Sequence, residues 1–426
     1  MKRFALAIPA AVILVLAAIF AMQWFHDPGS GRKSVPVADQ AQLAIRGEYL
    51  ARAGNCIGCH TVRNGEPYSG GRAITTPFGT IFGPNITPDA QTGIGQWTAD
   101  EFWRAIHNGR SKDGRFLYPA FPYPNYTKVS RADADAIFAY LKTVKPVKQA
   151  SKEPELRFPY NQRGLLAYWR TLYFKPGEFE AQASQSEQWN RGAYLVQGLG
   201  HCGACHTSRN ALGGTKASAD LAGGMIPMQD WYAASLTSDP ASGLGKWSNK
   251  DLADLLHAGV SARGSVFGPM TEVVYSSTQH LSQSDIDAMA MYIKSVPENE
   301  APDIASAPVT ENANTVLMLG ARVYKKQCAE CHKANGEGVP PAYPPLAGSH
   351  SLTSQSVVNP IRMVINGGYA PTTEGNPQPY GMPPFSDTLN DEEVAAVVSY
   401  IRMSWGNRGG LVSPIDVARY RGQAAE

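Results

Sequence analysis

The sequence predicts a mainly α protein, three similar domains in tandem behind an amino-terminal transmembrane helix. Three observations predict it. The five-residue word Cys-x-x-Cys-His is written three times, as Cys56-Ile57-Gly58-Cys59-His60, Cys202-Gly203-Ala204-Cys205-His206 and Cys328-Ala329-Glu330-Cys331-His332. Each copy follows a similar segment, Arg46-Gly47-Glu48-Tyr49-Leu50, Arg191-Gly192-Ala193-Tyr194-Leu195 and Gly320-Ala321-Arg322-Val323-Tyr324, and repetition on this scale marks repeated folding units. The chain opens on an apolar run over residues 5–25 behind Lys2 and Arg3.

That run is interrupted only by Gln23 and supplies the roughly twenty residues a membrane helix needs. A cleavable signal sequence has a shorter apolar core and small residues at the cleavage site, whereas the best candidate here, Ile19-Phe20-Ala21, puts isoleucine at the minus-three position. An uncleaved anchor is the favoured reading, with residues 1–28 as cytoplasmic stub and span. Pro9 lies near the start of the run and Trp24 near its end, where an interfacial aromatic belongs. Lys2 and Arg3 keep the amino terminus cytoplasmic, so everything after His26 is expected on the periplasmic side of the inner membrane.

All six cysteines fall in the three words. Two cysteines on one helical turn can each form a thioether to the same haem, and the next histidine then presents its imidazole to the iron. A zinc pair, a redox dithiol and a structural disulfide are the bland readings of Cys-x-x-Cys. Three copies weigh against each: three pairs do not divide among four-ligand zinc sites, a dithiol needs no trailing histidine, and no cysteine is left over to pair elsewhere. The motif therefore predicts three covalently bound haem c groups. Their attachment residues are Cys56 and Cys59, Cys202 and Cys205, and Cys328 and Cys331, with His60, His206 and His332 as iron ligands. Attachment of this type also belongs outside the cytoplasm.

The repeats set boundaries at 41–150 for domain one, 151–185 for a connector, 186–298 for domain two, 299–312 for a linker, 313–405 for domain three and 406–426 for a polar tail. Each domain closes with a helix whose start is signalled by a capping residue and an acid three positions later: Ser130 with Asp133, Ser282 with Asp285, Asn390 with Glu393. Ten residues past each cap stands a tyrosine, Tyr140, Tyr292 and Tyr400, expected in the core. A first helix carrying the cysteines and a last helix packing across it resembles the class I cytochrome c domain. Domains one and two share a further repeat, Asn85-Ile86-Thr87-Pro88-Asp89 to Trp97 against Leu236-Thr237-Ser238-Asp239 to Trp247, each followed by a capped helix at Thr98 and Ser248. The connector, with Phe158-Pro159-Tyr160 and Tyr168-Trp169, reads as packed, while the stretch from Glu298 to Asn312 reads as a flexible linker.

A haem iron held by histidine takes a methionine sulfur on its other side when the task is electron transfer. Domain three offers Met382, on a loop before the last helix, with Met363 and Met403 assigned to core packing. Domain two offers Met270, again assigned to a loop, with Met225 and Met228 as competitors and Met289 and Met291 inside the closing helix. Domain one has no methionine; Phe121 stands where one is expected. His107 invites a bis-histidine reading, but His257 holds the matching place in domain two, so a shared scaffold role is preferred and the sixth ligand of the first haem is left unknown.

A near-balanced charge of +2 gives no electrostatic case for nucleic acid. The 41 glycines and 31 prolines suit helices joined by long loops. The chain carries none of the common signatures of other catalysis: no Walker loop, no dinucleotide fingerprint and no nucleophile elbow.

Residues 41–405 resemble the three-haem cytochrome c subunits of membrane-bound periplasmic dehydrogenases. The resemblance lies in Thr76-Pro77-Phe78-Gly79, Asn85-Ile86-Thr87-Pro88-Asp89, Leu117-Tyr118-Pro119-Ala120 and Ser277-Thr278-Gln279-His280-Leu281. It implies an electron relay from a catalytic subunit through the haems to ubiquinone in the inner membrane. Phe121 departs from the Ala-Met-Pro-Tyr form of the alcohol and sugar dehydrogenase branches. With the anchor, it resembles members paired with a molybdopterin aldehyde dehydrogenase and a small iron–sulfur subunit. A quinoprotein alcohol dehydrogenase or flavoprotein sugar dehydrogenase partner is the alternative. A rival of another class is a haem enzyme acting on a small ligand at the first haem, with Arg110, Arg115 and Tyr118 as polar distal groups. A docking protein that bypasses quinone is a further rival.

Overall fold

The computed structural model describes residues 2–25, 39–240, 242–299, 308 and 312–422. Its contacts divide the chain into two units, one made of Met1–Ala183, Gln197–Ala204 and Ala211–Gly214, the other of Ser184–Val196, Cys205–Asn210 and Thr215–Glu426.

In the first unit α1 (Lys2–Phe25) is followed by α2 (Gln40–Ala53) and the short α3 (Cys56–His60). A hairpin of β1 (Ala73–Thr76) and β2 (Gly79–Phe82) leads to α4 (Ala99–Asn108), α5 (Tyr123–Tyr126) and α6 (Arg131–Leu141). β3 (Glu155–Leu156) then extends the antiparallel hairpin, and α7 (Leu166–Tyr173) follows. Thr98 and Glu101 close a full capping box on α4, as their spacing predicts. The heart of the unit is α2 crossing α6. They meet at Gly47, where a Cβ would run into the Ala136 carbonyl and lie 2.9 Å from the Tyr140 Cβ. The Ser130 side chain caps α6 by accepting from the Asp133 N–H, and the Asp133 carboxylate takes Arg46 of α2 at 2.5 Å.

The connector is packed, not tethered. Phe116, Leu166 and Ala167 form a small core flanked by Phe20, Tyr118 and Trp169. Gln23, the one polar break in the apolar run, is satisfied there: its side-chain oxygen accepts from Arg170 Nε at 3.2 Å and its backbone carbonyl accepts from Arg110.

In the second unit the pattern of crossing helices recurs twice. α8 (Glu187–Tyr194) precedes α9 (Gly203–His206), whose first two residues fall in the first unit, and a hairpin of β4 (Gly224–Ile226) and β5 (Trp231–Ala233) leads to α10 (Asn249–Ala258). A two-residue hairpin of β6 (Val260–Ser261) and β7 (Gly264–Ser265) precedes α11 (Pro269–Ser276) and α12 (Gln283–Lys294). α8 crosses α12 at Gly192, facing the Ala288 carbonyl and the Tyr292 Cβ at 2.9 Å, and Arg191 grips both oxygens of Asp285 at 2.8 and 2.7 Å. Next come α13 (Ala313–Gln327), α14 (Ala329–His332), α15 (His350–Thr353) and α16 (Val358–Asn366). The paired β8 (Gly368–Tyr369) and β9 (Gly381–Met382) precede α17 (Asp391–Met403) and α18 (Pro414–Arg421). α13 crosses α17 at Gly320, against Ala396 and Tyr400. Here Leu319 stands where the other repeats have arginine, and Glu393, with no such partner, closes a capping box with Asn390.

The polar tail after 405 packs in part on the third repeat: Val412 and Val417 belong to the third core, and Arg421 bonds the Ser386 and Leu389 carbonyls. The second and third repeats also share one unit. Asn359 exchanges two hydrogen bonds with the Tyr232 backbone, at 2.9 and 2.8 Å, and Thr373 donates to the Ala258 carbonyl at 2.9 Å. The linker expected between them lies mostly outside the described residues.

Candidate haem sites

Each Cys-x-x-Cys-His word sits on or against one short helical turn, α3, α9 or α14, after the first helix of its repeat. None of the six cysteines is bridged to another. Among the described residues no group of three or more His, Cys, Asp or Glu side chains is placed to hold a metal ion by itself. Burial pushes the Cys56 thiol up to about 12 and the Cys328 thiol up to about 11, and raises Cys205. A redox dithiol needs the opposite, a depressed pKa that yields thiolate.

The three histidines are held alike. Nδ1 of His60 lies 2.8 Å from the Pro84 carbonyl, Nδ1 of His206 lies 2.6 Å from the Ala234 carbonyl, and Nδ1 of His332 lies 3.0 Å from the Pro344 carbonyl. A carbonyl only accepts, so Nδ1 carries the proton in each ring and Nε2 keeps its lone pair. This is the arrangement that fixes the tautomer and orientation of a metal-binding imidazole. Burial lowers the pKa of all three, favouring the neutral ligand form. Each histidine carbonyl in turn accepts from a glycine N–H, of Gly70, Gly223 or Gly338, all in left-handed backbone that glycine adopts without strain. The same histidine-to-glycine bond thus recurs in all three repeats, across loops of different length.

The third site is a cleft of about 850 Å³, counting its solvent-open mouth, lined by Cys328, Cys331, His332, Tyr343, Met382 and Phe385 among others. The proposed attachment residues, the proximal histidine and the proposed methionine are therefore brought to one cavity. Met382 lies in β9, which pairs with β8, so the loop assignment gives way to a short anchored strand that limits the methionine's position. Met363, assigned from sequence to core packing, also lines this cleft from α16, because that helix is amphipathic and turns one face inward.

In the second repeat Met270 is not on a loop. It occupies the first turn of α11, where Pro269 starts the helix. Met225 and Met228 are exposed, on β4 and at a left-handed residue after it, while Met289 is core and Met291 is within α12.

At the first site the side chains missed by the sequence reading are Tyr126 and His201. Tyr126 stacks on Phe121 at 5.3 Å, packs at 5.2 Å from the His201 ring and donates its hydroxyl to the Gly54 carbonyl at 2.7 Å. Burial and the adjacent Cys56 and Cys59 thiols raise its pKa, which places it against the first word. His201 is buried with Nδ1 on the Leu199 carbonyl at 2.9 Å. Its place directly before Cys202 was the only available signal. His107 stacks on Trp103 at 4.3 Å and faces Thr127. The groups offered as a polar distal set are engaged elsewhere: Arg110 lies over the Phe116 ring, Arg115 pairs with Asp113, and Tyr118 lies under Arg163.

The oriented imidazoles and the thioether-lined cleft of the third repeat fit haem c. A cytochrome c family model matches residues 44–145 and 317–405. The cytochrome c subunit of a quinone-dependent alcohol dehydrogenase from Gluconacetobacter polyoxogenes is 39% identical over 411 residues, 93% of this chain and 88% of that protein. A gluconate 2-dehydrogenase cytochrome c subunit from Pantoea cypripedii is 41% identical over 400 residues, 90% of this chain and 91% of that protein. One of the subunits of a nicotinate dehydrogenase from Pseudomonas putida is 40% identical over 372 residues, 85% of this chain but 30% of that longer protein.

Proposed function

Because the chain belongs to the family of cytochrome c subunits of alcohol and gluconate dehydrogenases, electron-transfer proteins that bind haem c covalently, we propose that it relays electrons through three such haems to ubiquinone. On this reading it sits on the periplasmic side of the inner membrane, anchored by α1 and docked to a catalytic dehydrogenase subunit.

The observation that carries the proposal is the threefold recurrence of a cysteine pair followed by a histidine whose Nδ1 is held by a backbone carbonyl. When bound, haem supplies a one-electron couple. The chain supplies everything else. Cys56 and Cys59, Cys202 and Cys205, and Cys328 and Cys331 hold the groups at set positions, and His60, His206 and His332 ligate with Nε2. Met382 and Met270 complete the third and second sites, a soft ligand that raises the potential and closes the iron to other chemistry. At the first site Phe121 and Tyr126 make an aromatic, apolar surround poor at holding a charged small ligand.

Phe121 and the anchor favour a molybdopterin aldehyde dehydrogenase with a small iron–sulfur subunit as partner. The names of the relatives favour an alcohol or sugar-acid dehydrogenase instead. Affinity purification of the detergent-solubilised complex through this subunit, with quinone reduction assayed on aldehyde, alcohol and gluconate, separates the two. A molybdopterin partner with aldehyde-dependent quinone reduction supports the first. A quinoprotein or flavoprotein partner keeps the relay and removes that branch. Isolation of the chain alone, turning over a small haem ligand, would overturn the relay.

A further inference from the structure

α1 does not leave the first unit as a bare stalk. The Tyr168 hydroxyl of α7 donates to the Leu16 carbonyl at 3.4 Å, Gly164 lies beside Phe20, and Trp24 meets Phe116 edge-on at 5.5 Å. These contacts run from Leu16 to Trp24, about 12 Å of helix at 1.5 Å per residue. The apolar segment Ile8–Phe25 has 18 residues. It is about 27 Å long, close to the ~30 Å hydrocarbon thickness of a bilayer. A span that fills the hydrocarbon therefore carries α7 along its periplasmic half, at the depth of the outer leaflet.

The outward side of α7 suits that depth. Leu172, on α7, and Leu165, on the turn just before it, are 66% and 46% exposed. Leu212, whose carbonyl takes the Trp169 indole N–H at 2.9 Å, adds a third exposed apolar side chain. Exposed Arg157 and Lys175 flank the stretch, where cations meet lipid headgroups.

We propose that α7 and its flanks form an interfacial membrane element, with Leu165 and Leu172 seated in outer-leaflet lipid beside α1. The proposal rests on reading α1 as a span and adds to it a second, monotopic attachment. α5 joins this element to the first haem word: Tyr123, at its start, packs on Trp169 and Phe174 at 6.3 and 4.9 Å, while Tyr126, at its end, bonds Gly54 beside Cys56.

The test uses the full haem-loaded chain, with its co-purifying subunits, in vesicles of phosphatidylethanolamine and phosphatidylglycerol. A photoreactive benzophenone amino acid replaces Ile13, Leu172 or the exposed Met318 of α13, and lipid adducts are counted by mass spectrometry. Adducts at Ile13 and Leu172 several-fold above those at Met318 are expected. Adducts at Ile13 without Leu172 would leave the span standing and overturn the proposal, as would crosslinking of position 172 to another subunit. Equal yields at 172 and 318 would also overturn it. No adduct at Ile13 or Leu172 would remove the span and the proposal together.

Discussion

Gly320→Ala sets two effects of opposite sign against each other. Alanine is the better helix former by about 1 kcal/mol, so in an isolated α13 the change would stabilise. In the folded protein its Cβ would stand 2.7 Å from the Ala396 carbonyl carbon and 2.7 Å from the Tyr400 Cβ, where ordinary contact begins at 3.4 Å, an overlap of 3.4 − 2.7 = 0.7 Å. The Ala396 oxygen lies closer still. These are backbone and Cβ atoms of a helix buried along most of its length, so no side chain can swing away and the two helices must separate. Overpacking of this kind costs typically about 1–3 kcal/mol, and prising apart the third core adds to it. The net expectation is a destabilisation of about 1–2 kcal/mol. The assay is denaturant unfolding of the haem-loaded chain, followed by the methionine–iron absorption of the third site and read as a midpoint. Met318→Ala, exposed on the same helix, is the control and should stay within about 0.5 kcal/mol of the parent. A Gly320→Ala midpoint at or above the parent's would refute the close crossing, and with it the reason a glycine recurs at 47, 192 and 320.

Met382→Ala should lower the potential of one haem and remove its methionine–iron band, while Met363→Ala should leave the band in place; a redox titration with optical readout decides, and the reverse pattern would reassign the ligand. Arg191→Met should leave the buried carboxylate of Asp285 without its bidentate partner and lower the unfolding free energy by about 1–3 kcal/mol. Tyr126→Phe should cost about 1 kcal/mol through the lost bond to Gly54 and shift the potential of the first haem alone, as read by titration against the parent. Burial holds His350 down to about 4 against an ordinary 6.5, although its bond to the Ser242 carbonyl pulls the other way. A base with a depressed folded pKa binds fewer protons folded than unfolded, so stability should fall as pH drops from about 6.5 to 4, and His350→Gln should flatten that slope in pH-resolved unfolding.

The repeated elements were legible because their signals are local. The caps at Ser130, Ser282 and Asn390, the boxes at Thr98 and Ser248, and the three words all act within a turn or two of chain. The carbonyls that orient His60, His206 and His332 were not legible, since Pro84, Ala234 and Pro344 lie 24, 28 and 12 residues away and any residue can offer a carbonyl. Met270 follows Gly268 and Pro269, and because proline is favoured in a helix's first turn, α11 starts there where the sequence reading has a loop. Met363 was missed as a cleft residue because a helix position does not say which of two apolar surroundings its face meets. The role of Gln23 is tertiary: its partners are 87 and 147 residues on.

Three covalent haems in one chain are the central claim, and the intact mass of the mature subunit tests it most directly. Three haems are expected, with each Cys→Ser pair, at 56 and 59, at 202 and 205, or at 328 and 331, removing one. A parent mass carrying two haems or fewer, or a pair substitution that leaves the count unchanged, would contradict it.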